Sequence, residues 1–319
     1  MVRATIAIHG GAGTITQTSM DVKTEQRYRR ALTDIVASGQ TLLAAGCSAL
    51  DVVTETVRLL EECPLFNAGV GSVFTRQGTH ELDACVMDGR TREAGAVAGV
   101  SHIRNPVLAA RAVLQHSPHV LFTGAGAETF AAAQGLEIVA ADFFSTPGRR
   151  KQLDRALANE RIVLDHDEAS AGEPLDPDRK MGTVGAVALD TAGNLAAATS
   201  TGGMTNKQVG RVGDSPLPGA GCYASETVAV SCTGTGEVFI RTLAAYDIAA
   251  LMDYAGLSLN DAAERVVMHN IPRLGGSGGL IAVDRAGNLV LPFNSEGMYR
   301  GYGIADERPV VAIFRGEGE

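Results

Sequence analysis

The chain has 319 residues, 45% of them hydrophobic and 20% charged, an ordinary globular balance with enough length to bury a sizeable core. Its formal net charge of −9 at pH 7 excludes a broad basic face for nucleic acid. No apolar run approaches the length of a membrane span.

The first residues, Met1-Val2-Arg3-Ala4-Thr5-Ile6, lack the apolar core of an export signal, so a cytoplasmic protein is expected. Residues 4–9 read as a short apolar strand running into Gly10-Gly11-Ala12-Gly13, a turn with exposed backbone amides. The apolar spacing of Ala31, Ile35, Leu42 and Leu43 predicts a helix over 24–45. Ser48 is placed to cap a second helix that reaches about Glu62 and is ended by Pro64. Residues 67–72 form a loop and 95–101 a buried strand. Asn105-Pro106 opens a helix with proline in its first turn. A short strand at 120–122 and a helix at 127–135 follow.

From 149 to 180 the pattern changes. These 32 residues hold seven Lys/Arg and eight Asp/Glu, and no long apolar period survives. Poor order is expected, with at most one short helix. Beyond them the chain becomes apolar at once. Residues 184–189, the turn Asp190-Thr191-Ala192-Gly193-Asn194 and residues 195–199 read as a hairpin. A second hairpin echoes it around Asp284-Arg285-Ala286-Gly287-Asn288. A buried strand is expected at 228–232, and helices at 238–255 and 259–269. Several strands are apolar throughout, which suits sheets covered on both faces by helices.

Some motifs point elsewhere. Gly275-Gly276-Ser277-Gly278-Gly279 matches the nucleophile elbow of α/β hydrolases, but here a helix precedes and a strand follows, the reverse of the required order. Thr233-Gly234-Thr235-Gly236-Glu237 follows a strand and opens a helix without the third glycine or the lysine of a nucleotide cradle. Its backbone amides can still hold an oxyanion. The seven histidines are scattered and complete no zinc pattern, so each reads as a structural or surface residue. Asp83 and Asp88, flanking Cys85, read as turn and surface residues. Cys47, Cys63, Cys85, Cys222 and Cys232 are odd in number and form no Cys-x-x-Cys, as reduced thiols would.

At the boundary between the polar stretch and the strand lies Met181-Gly182-Thr183-Val184-Gly185. A flexible glycine followed by a hydroxyl residue at such a place suggests a chain that cuts itself. Thr183 would then become an N-terminus, with nucleophile and base in one residue.

With that block, Ile8-His9-Gly10-Gly11-Ala12-Gly13, Asn67-Ala68-Gly69, Thr199-Ser200-Thr201-Gly202-Gly203, Gly210-Arg211-Val212-Gly213-Asp214-Ser215 and Cys232-Thr233-Gly234-Thr235-Gly236-Glu237 occur in order over nearly the whole chain. In these six blocks the chain resembles the plant-type asparaginases, also called isoaspartyl or β-aspartyl peptidases, within the N-terminal nucleophile hydrolases. It looks most like the bacterial isoaspartyl dipeptidases. The resemblance implies one domain over 1–319 with a four-layer αββα sandwich. It implies self-cleavage between Gly182 and Thr183, giving chains 1–182 and 183–319, with 149–180 as a flexible tail. Thr183 would attack a side-chain amide, Thr201 would orient it, and Thr233 with the Gly234 amide would stabilise the oxyanion. Alone, Arg211 and Asp214 read as a surface charge pair. Beside the other blocks they read as a clamp for the α-carboxylate and α-ammonium of a free amino-acid head, with a contact from Gly236. Substrates would be L-asparagine and β-aspartyl dipeptides. The carbonyls of Leu60, Glu61, Cys63, Phe66, Ala68 and Val70 would hold a structural sodium or potassium ion, with no organic cofactor. Two cleaved pairs would assemble as (αβ)2. The remaining alternatives are a glycosylasparaginase, usually exported and disulfide-bonded, and an uncleaved amino-acid-binding protein.

Overall fold

A computed structural model describes residues 3–165, 182–305 and 307–317. An eight-stranded sheet and a four-stranded sheet lie face to face, each covered on its outer side by helices. The first sheet contains β1 (Thr5–Gly13), β2 (Leu82–Asp88), β3 (Ala94–Val100), β4 (Leu121–Thr123), β5 (Thr183–Leu189) and β6 (Leu195–Thr201). The second contains β7 (Cys222–Ala224), β8 (Val228–Gly234), β9 (Gly278–Asp284) and β10 (Leu289–Val290). Strands β11 (Gly297–Ile304) and β12 (Val310–Phe314) return to the first sheet. The orders are β12-β11-β1-β5-β6-β2-β3-β4 and β10-β9-β8-β7. Helices α1 (Val22–Ala44), α2 (Ala49–Glu61), α3 (Pro106–His116) and α4 (Gly124–Ala133) cover the larger sheet. The smaller sheet is covered by α6 (Gly236–Thr242), α7 (Ala244–Ala255) and α8 (Leu259–Glu264).

Period-two alternation sorts the strand side chains between two cores. Ile6 and Ile8 of β1 and Val184, Ala186 and Ala188 of β5 face the helices over the larger sheet. Ala7, Val187 and Ala197 face the other sheet with Val230 and Ile281. The central strands are apolar on both faces because both faces are covered. Both turns of the Asp-x-Ala-Gly-Asn type close in the same way. Asp190 Oδ1 accepts from the amides of Ala192 and Asn194, Asp284 Oδ1 from those of Ala286 and Asn288, each at 2.9 Å. Gly193 and Gly287 both take φ of 84°, where a glycine is favoured.

Several elements differ from the sequence expectations. Residues 10–13 form no turn. They continue β1, with a register shift between His9 and Gly11. A 19-residue helix, α5 (Pro147–Asp165), occupies the first half of the stretch expected to be poorly ordered. The rest of that stretch, residues 166–180, lies outside the described residues. The helix expected over 238–255 breaks at Leu243, whose backbone is left-handed (φ 48°, ψ 50°), and divides into α6 and α7. The helix at 259–269 passes from α8 into a π-helical turn, Arg265–Asn270, and then into α9 (Ile271–Arg273). Asp83 is not a surface residue. It is buried in β2, where its Oδ1 accepts from the Gly99 amide at 2.8 Å. Among the described residues no helix is long and apolar enough to cross a membrane.

Candidate active site

Thr183 is the first residue of β5, and the hairpin register sets it directly across from Thr201, the last residue of β6. Its hydroxyl donates to Thr201 Oγ1 at 3.3 Å and lies 3.4 Å from Ser215 Oγ. Thr201 Oγ1 also accepts from the Gly203 amide at 2.9 Å, which fixes the acceptor in place. Thr233, near the end of β8, reaches across from the smaller sheet. Its Oγ1 accepts from the Thr183 amide at 3.4 Å and the Ala12 amide at 3.2 Å. Three threonines from three strands therefore meet at one point, all buried.

The peptide bond before Thr183 is closely confined. A Cβ on Gly11 would lie 2.7 Å from Gly182 Cα and 3.5 Å from Thr183 N. Gly11 also has φ of 109°, so both the contact and the backbone need glycine there. Asn67 flanks the other side, its Cβ 3.3 Å from where a Gly182 side chain would begin. The Asn67 amide bridges the Gly203 carbonyl at 2.7 Å and the Val73 amide at 2.9 Å, which fixes the loop against the Thr201 turn. His9 lies beneath. Its Nδ1 donates to the Thr183 carbonyl at 2.9 Å, and its Nε2 accepts from Ser231 Oγ at 2.8 Å. Burial pushes its pKa down to about 3, so it remains a neutral brace for the strand.

Arg211 and Asp214 do not form the surface ion pair that their spacing suggests. Arg211 Nε donates to Glu237 Oε1 at 2.9 Å, and Asp214 is 3% exposed. Both converge on the start of α6: a Cβ on Gly236 would lie 2.7 Å from Arg211 Nη2 and 3.0 Å from Asp214 Oδ1. Burial pushes the Asp214 pKa up to about 7, and Arg211 only partly counters it. Asp214 Oδ2 is buried and has no hydrogen-bond partner among the described residues. A buried acceptor without a donor is costly, and a ligand ammonium would supply the missing donor.

Of the residues singled out by sequence, Thr183, Thr201 and Thr233 form one cluster. Gly234 is adjacent to Thr233, and Arg211, Asp214 and Gly236 form a second group joined to the first through Ser215. Leu60, Glu61, Cys63, Phe66, Ala68 and Val70 lie on the end of α2 and the loop behind Asn67. That loop folds back so that the Val70 amide donates to the Glu61 carbonyl at 2.8 Å. Sequence reasoning gave no role to Ser215, Asn67, His9, Gly11 or Glu237. Each belongs to, or adjoins, one of the motif blocks, but only the folded chain shows which atoms meet.

Two sheets between helices, with a strand-initial threonine held by hydroxyls from both sheets, define a hydrolase sandwich of the N-terminal nucleophile type. The chain belongs to the asparaginase family, whose model matches residues 2–313. It is 68% identical over 316 residues to the isoaspartyl peptidase of Salmonella typhimurium, covering 99% of this chain and 100% of the relative. It is 67% identical over 320 residues to the isoaspartyl peptidase of Escherichia coli, covering 100% and 98%. A probable isoaspartyl peptidase/L-asparaginase 2 of Arabidopsis thaliana is 42% identical over 323 residues, covering 97% and 98%.

Proposed function

We propose that the protein cuts its own chain between Gly182 and Thr183, and then hydrolyses β-aspartyl dipeptides and L-asparagine. The observation that carries this reading is Thr183 at a strand start, with its hydroxyl 3.3 Å from Thr201 and Thr233 at its amide. The names of relatives covering essentially the whole chain support the same substrates.

In maturation, Thr183 Oγ attacks the Gly182 carbonyl and the peptide C–N bond breaks as the amide nitrogen takes a proton. The resulting ester is hydrolysed by water, leaving a carboxylate on Gly182 and a free amine on Thr183. β5 is hydrogen-bonded to β1 on one side and β6 on the other, so both products remain in one sheet. In turnover the amine, with a reference pKa of about 7.7–8.0, takes the hydroxyl proton as Oγ attacks the β-carbonyl. The Thr233 hydroxyl and Gly234 amide stabilise the oxyanion. The amine passes its proton to the departing nitrogen, and water hydrolyses the aspartyl ester. Arg211 binds the α-carboxylate, Asp214 binds the α-ammonium through its unpaired Oδ2, and the Gly236 amide adds a contact. This head recognition directs attack to the β-carbonyl and rejects α-linked peptides.

The loop after α2 fits a structural alkali ion. Gly69 and Gly71 take positive φ in it, and the buried Glu61 carboxyl leaves Oε2 without a partner among the described residues. Leu60, Glu61, Cys63, Phe66, Ala68 and Val70 would hold the ion through their carbonyls, and a bound ion would supply structural charge only. All five cysteines are unpaired, which supports a cytoplasmic location. Assembly as (αβ)2 is supported by exposed Tyr246, Tyr254, Met268 and Leu274 in the outer helical layer.

Intact mass and turnover test the whole reading. The wild-type protein is expected to yield two chains divided after Gly182, and to release aspartate from both β-aspartyl-leucine and asparagine. Thr183→Ala is expected to stay as one chain without activity. Two chains from Thr183→Ala would refute it.

A further inference from the structure

The clamp and the threonines account for the aspartyl part of a dipeptide and leave the departing residue without a place. That residue has a defined position relative to Thr183. The amine that takes the hydroxyl proton must deliver it to the leaving nitrogen, so this nitrogen lies on the amine side of Thr183. In the continuous chain that side holds Gly182, packed against Gly11.

A small cavity opens there. Gly11, Ile15, Tyr28, Phe66, Arg149 and Tyr299 line it together with Gly182. The aromatic rings form a rigid corner. Tyr28 and Tyr299 stack at 4.2 Å and 13°, and Phe66 meets them edge-on at 5.7 and 6.1 Å. Arg149, in the first turn of α5, is anchored by Nε to the Gly71 carbonyl at 2.6 Å and by Nη1 to Gln152 Oε1 at 3.1 Å. Its Nη2 donates to no group among the described residues, and no carboxylate there pairs with it. Burial lowers its pKa. An anchored cation without a counter-charge, beside an apolar corner, matches a carboxylate attached to an apolar side chain.

We propose that this cavity is the subsite for the residue that leaves a β-aspartyl dipeptide, with Arg149 binding its free α-carboxylate and Tyr28, Phe66 and Tyr299 packing against its side chain. The subsite rests on the reading of Thr183 as nucleophile. On this proposal Gly182, which lines the cavity of about 40 Å³, withdraws after cleavage and makes room for the departing residue. Maturation therefore does two things at once: it frees the base and vacates the leaving-group site. Asparagine, whose leaving group is ammonia, makes no use of the subsite. Dipeptides extended beyond the second residue lose the carboxylate that Arg149 recognises.

The test compares β-aspartyl-leucine with its C-terminal amide, with asparagine as reference, on processed wild-type, Arg149→Met and Arg149→Lys proteins. Wild type is expected to favour the free acid over the amide by about 10–100-fold in kcat/KM, carried by KM, as for a lost hydrogen-bonded charge pair. Arg149→Met should erase that preference and Arg149→Lys retain part of it. A wild-type protein that cleaves acid and amide at equal kcat/KM overturns the subsite, as does an Arg149→Met protein that keeps the preference. If Arg149→Met fails to fold, the wild-type comparison of acid with amide decides alone. Turnover of asparagine and dipeptide without an acid preference overturns only the subsite. Turnover of neither overturns the Thr183 reading and the subsite with it.

Discussion

The threonine cluster around Thr183 and the charged group around Gly236, the two halves of the site, are built on opposite principles. Around Thr183 every hydroxyl is neutral and has a partner: Thr183 to Thr201, Thr201 to the Gly203 amide, Thr233 to two amides. That half is complete before any ligand arrives. Around Gly236 the groups are charged and the bonding is unfinished. Arg211 is engaged by an exposed Glu237, and Asp214 Oδ2 has no partner among the described residues. The first half is preorganised for chemistry. The second is held in a costly state that, under the proposed function, a zwitterionic amino-acid head would relieve. Substitutions in the first should therefore act on kcat, and those in the second on KM and on the stability of the empty protein.

The largest separation is expected from Thr233→Val. It keeps the shape and removes the hydroxyl that accepts from the Thr183 amide and that we propose as an oxyanion donor. Per processed molecule, kcat for asparagine should fall about 10²–10³-fold, the usual cost of one oxyanion donor, while aspartate affinity stays within about threefold. A loss confined to KM would break the division between the halves. Arg211→Met is the counterpart. Its kcat/KM should fall about 10–100-fold through KM, with kcat much less affected. Steady-state kinetics on asparagine at saturating and limiting concentrations distinguishes the two patterns.

The two halves were unequally legible in the sequence. The hairpin that aligns Thr183 with Thr201 could be read because Asp190-Thr191-Ala192-Gly193-Asn194 carries its own turn chemistry. The location of Thr183 followed from an abrupt change in polarity. The roles of Thr201, Thr233, Arg211 and Asp214 came from the family resemblance, because the contacts that bring them together run between sheets and carry no local pattern. The same limit hid Ser215 and the true partner of Arg211. Helix α5 was missed because its residues are good helix formers with little apolar period, and the apolar-period criterion cannot see such a helix. Asp83 was misplaced because a buried carboxylate in a strand looks, in sequence, like a turn residue. Strand β11 was hidden by Gly297, Gly301 and Gly303. At Gly297 a Cβ would meet the Ile15 carbonyl at 2.5 Å, and at Gly301 and Gly303 it would crowd Val311 and Gln40, so packing favours glycine over the usual strand formers.

The smallest effect tests the cost of leaving the clamp unfinished. The Asp214 pKa, about 7 in the folded protein, lies above its ordinary value of 3.8. The protonated form thus favours folding: that contribution is complete below pH 3.8 and is lost as pH rises through 7. Asp214→Asn cannot ionise, so at pH 8 it should melt a few °C above wild type, on the order of 1–3 kcal/mol. The gap should close as pH is lowered toward 4. The same variant should lose most kcat/KM, because the α-ammonium no longer meets a carboxylate. In wild type, kcat/KM should decline below pH 8 as the Thr183 amine protonates, and by a further factor of about ten per unit below pH 7 as Asp214 does. Saturating aspartate should raise the melting temperature of wild type and leave Asp214→Asn nearly unmoved. A variant that melts lower than wild type at pH 8, or by the same margin at every pH, would mean that the buried carboxylate stabilises the empty site after all.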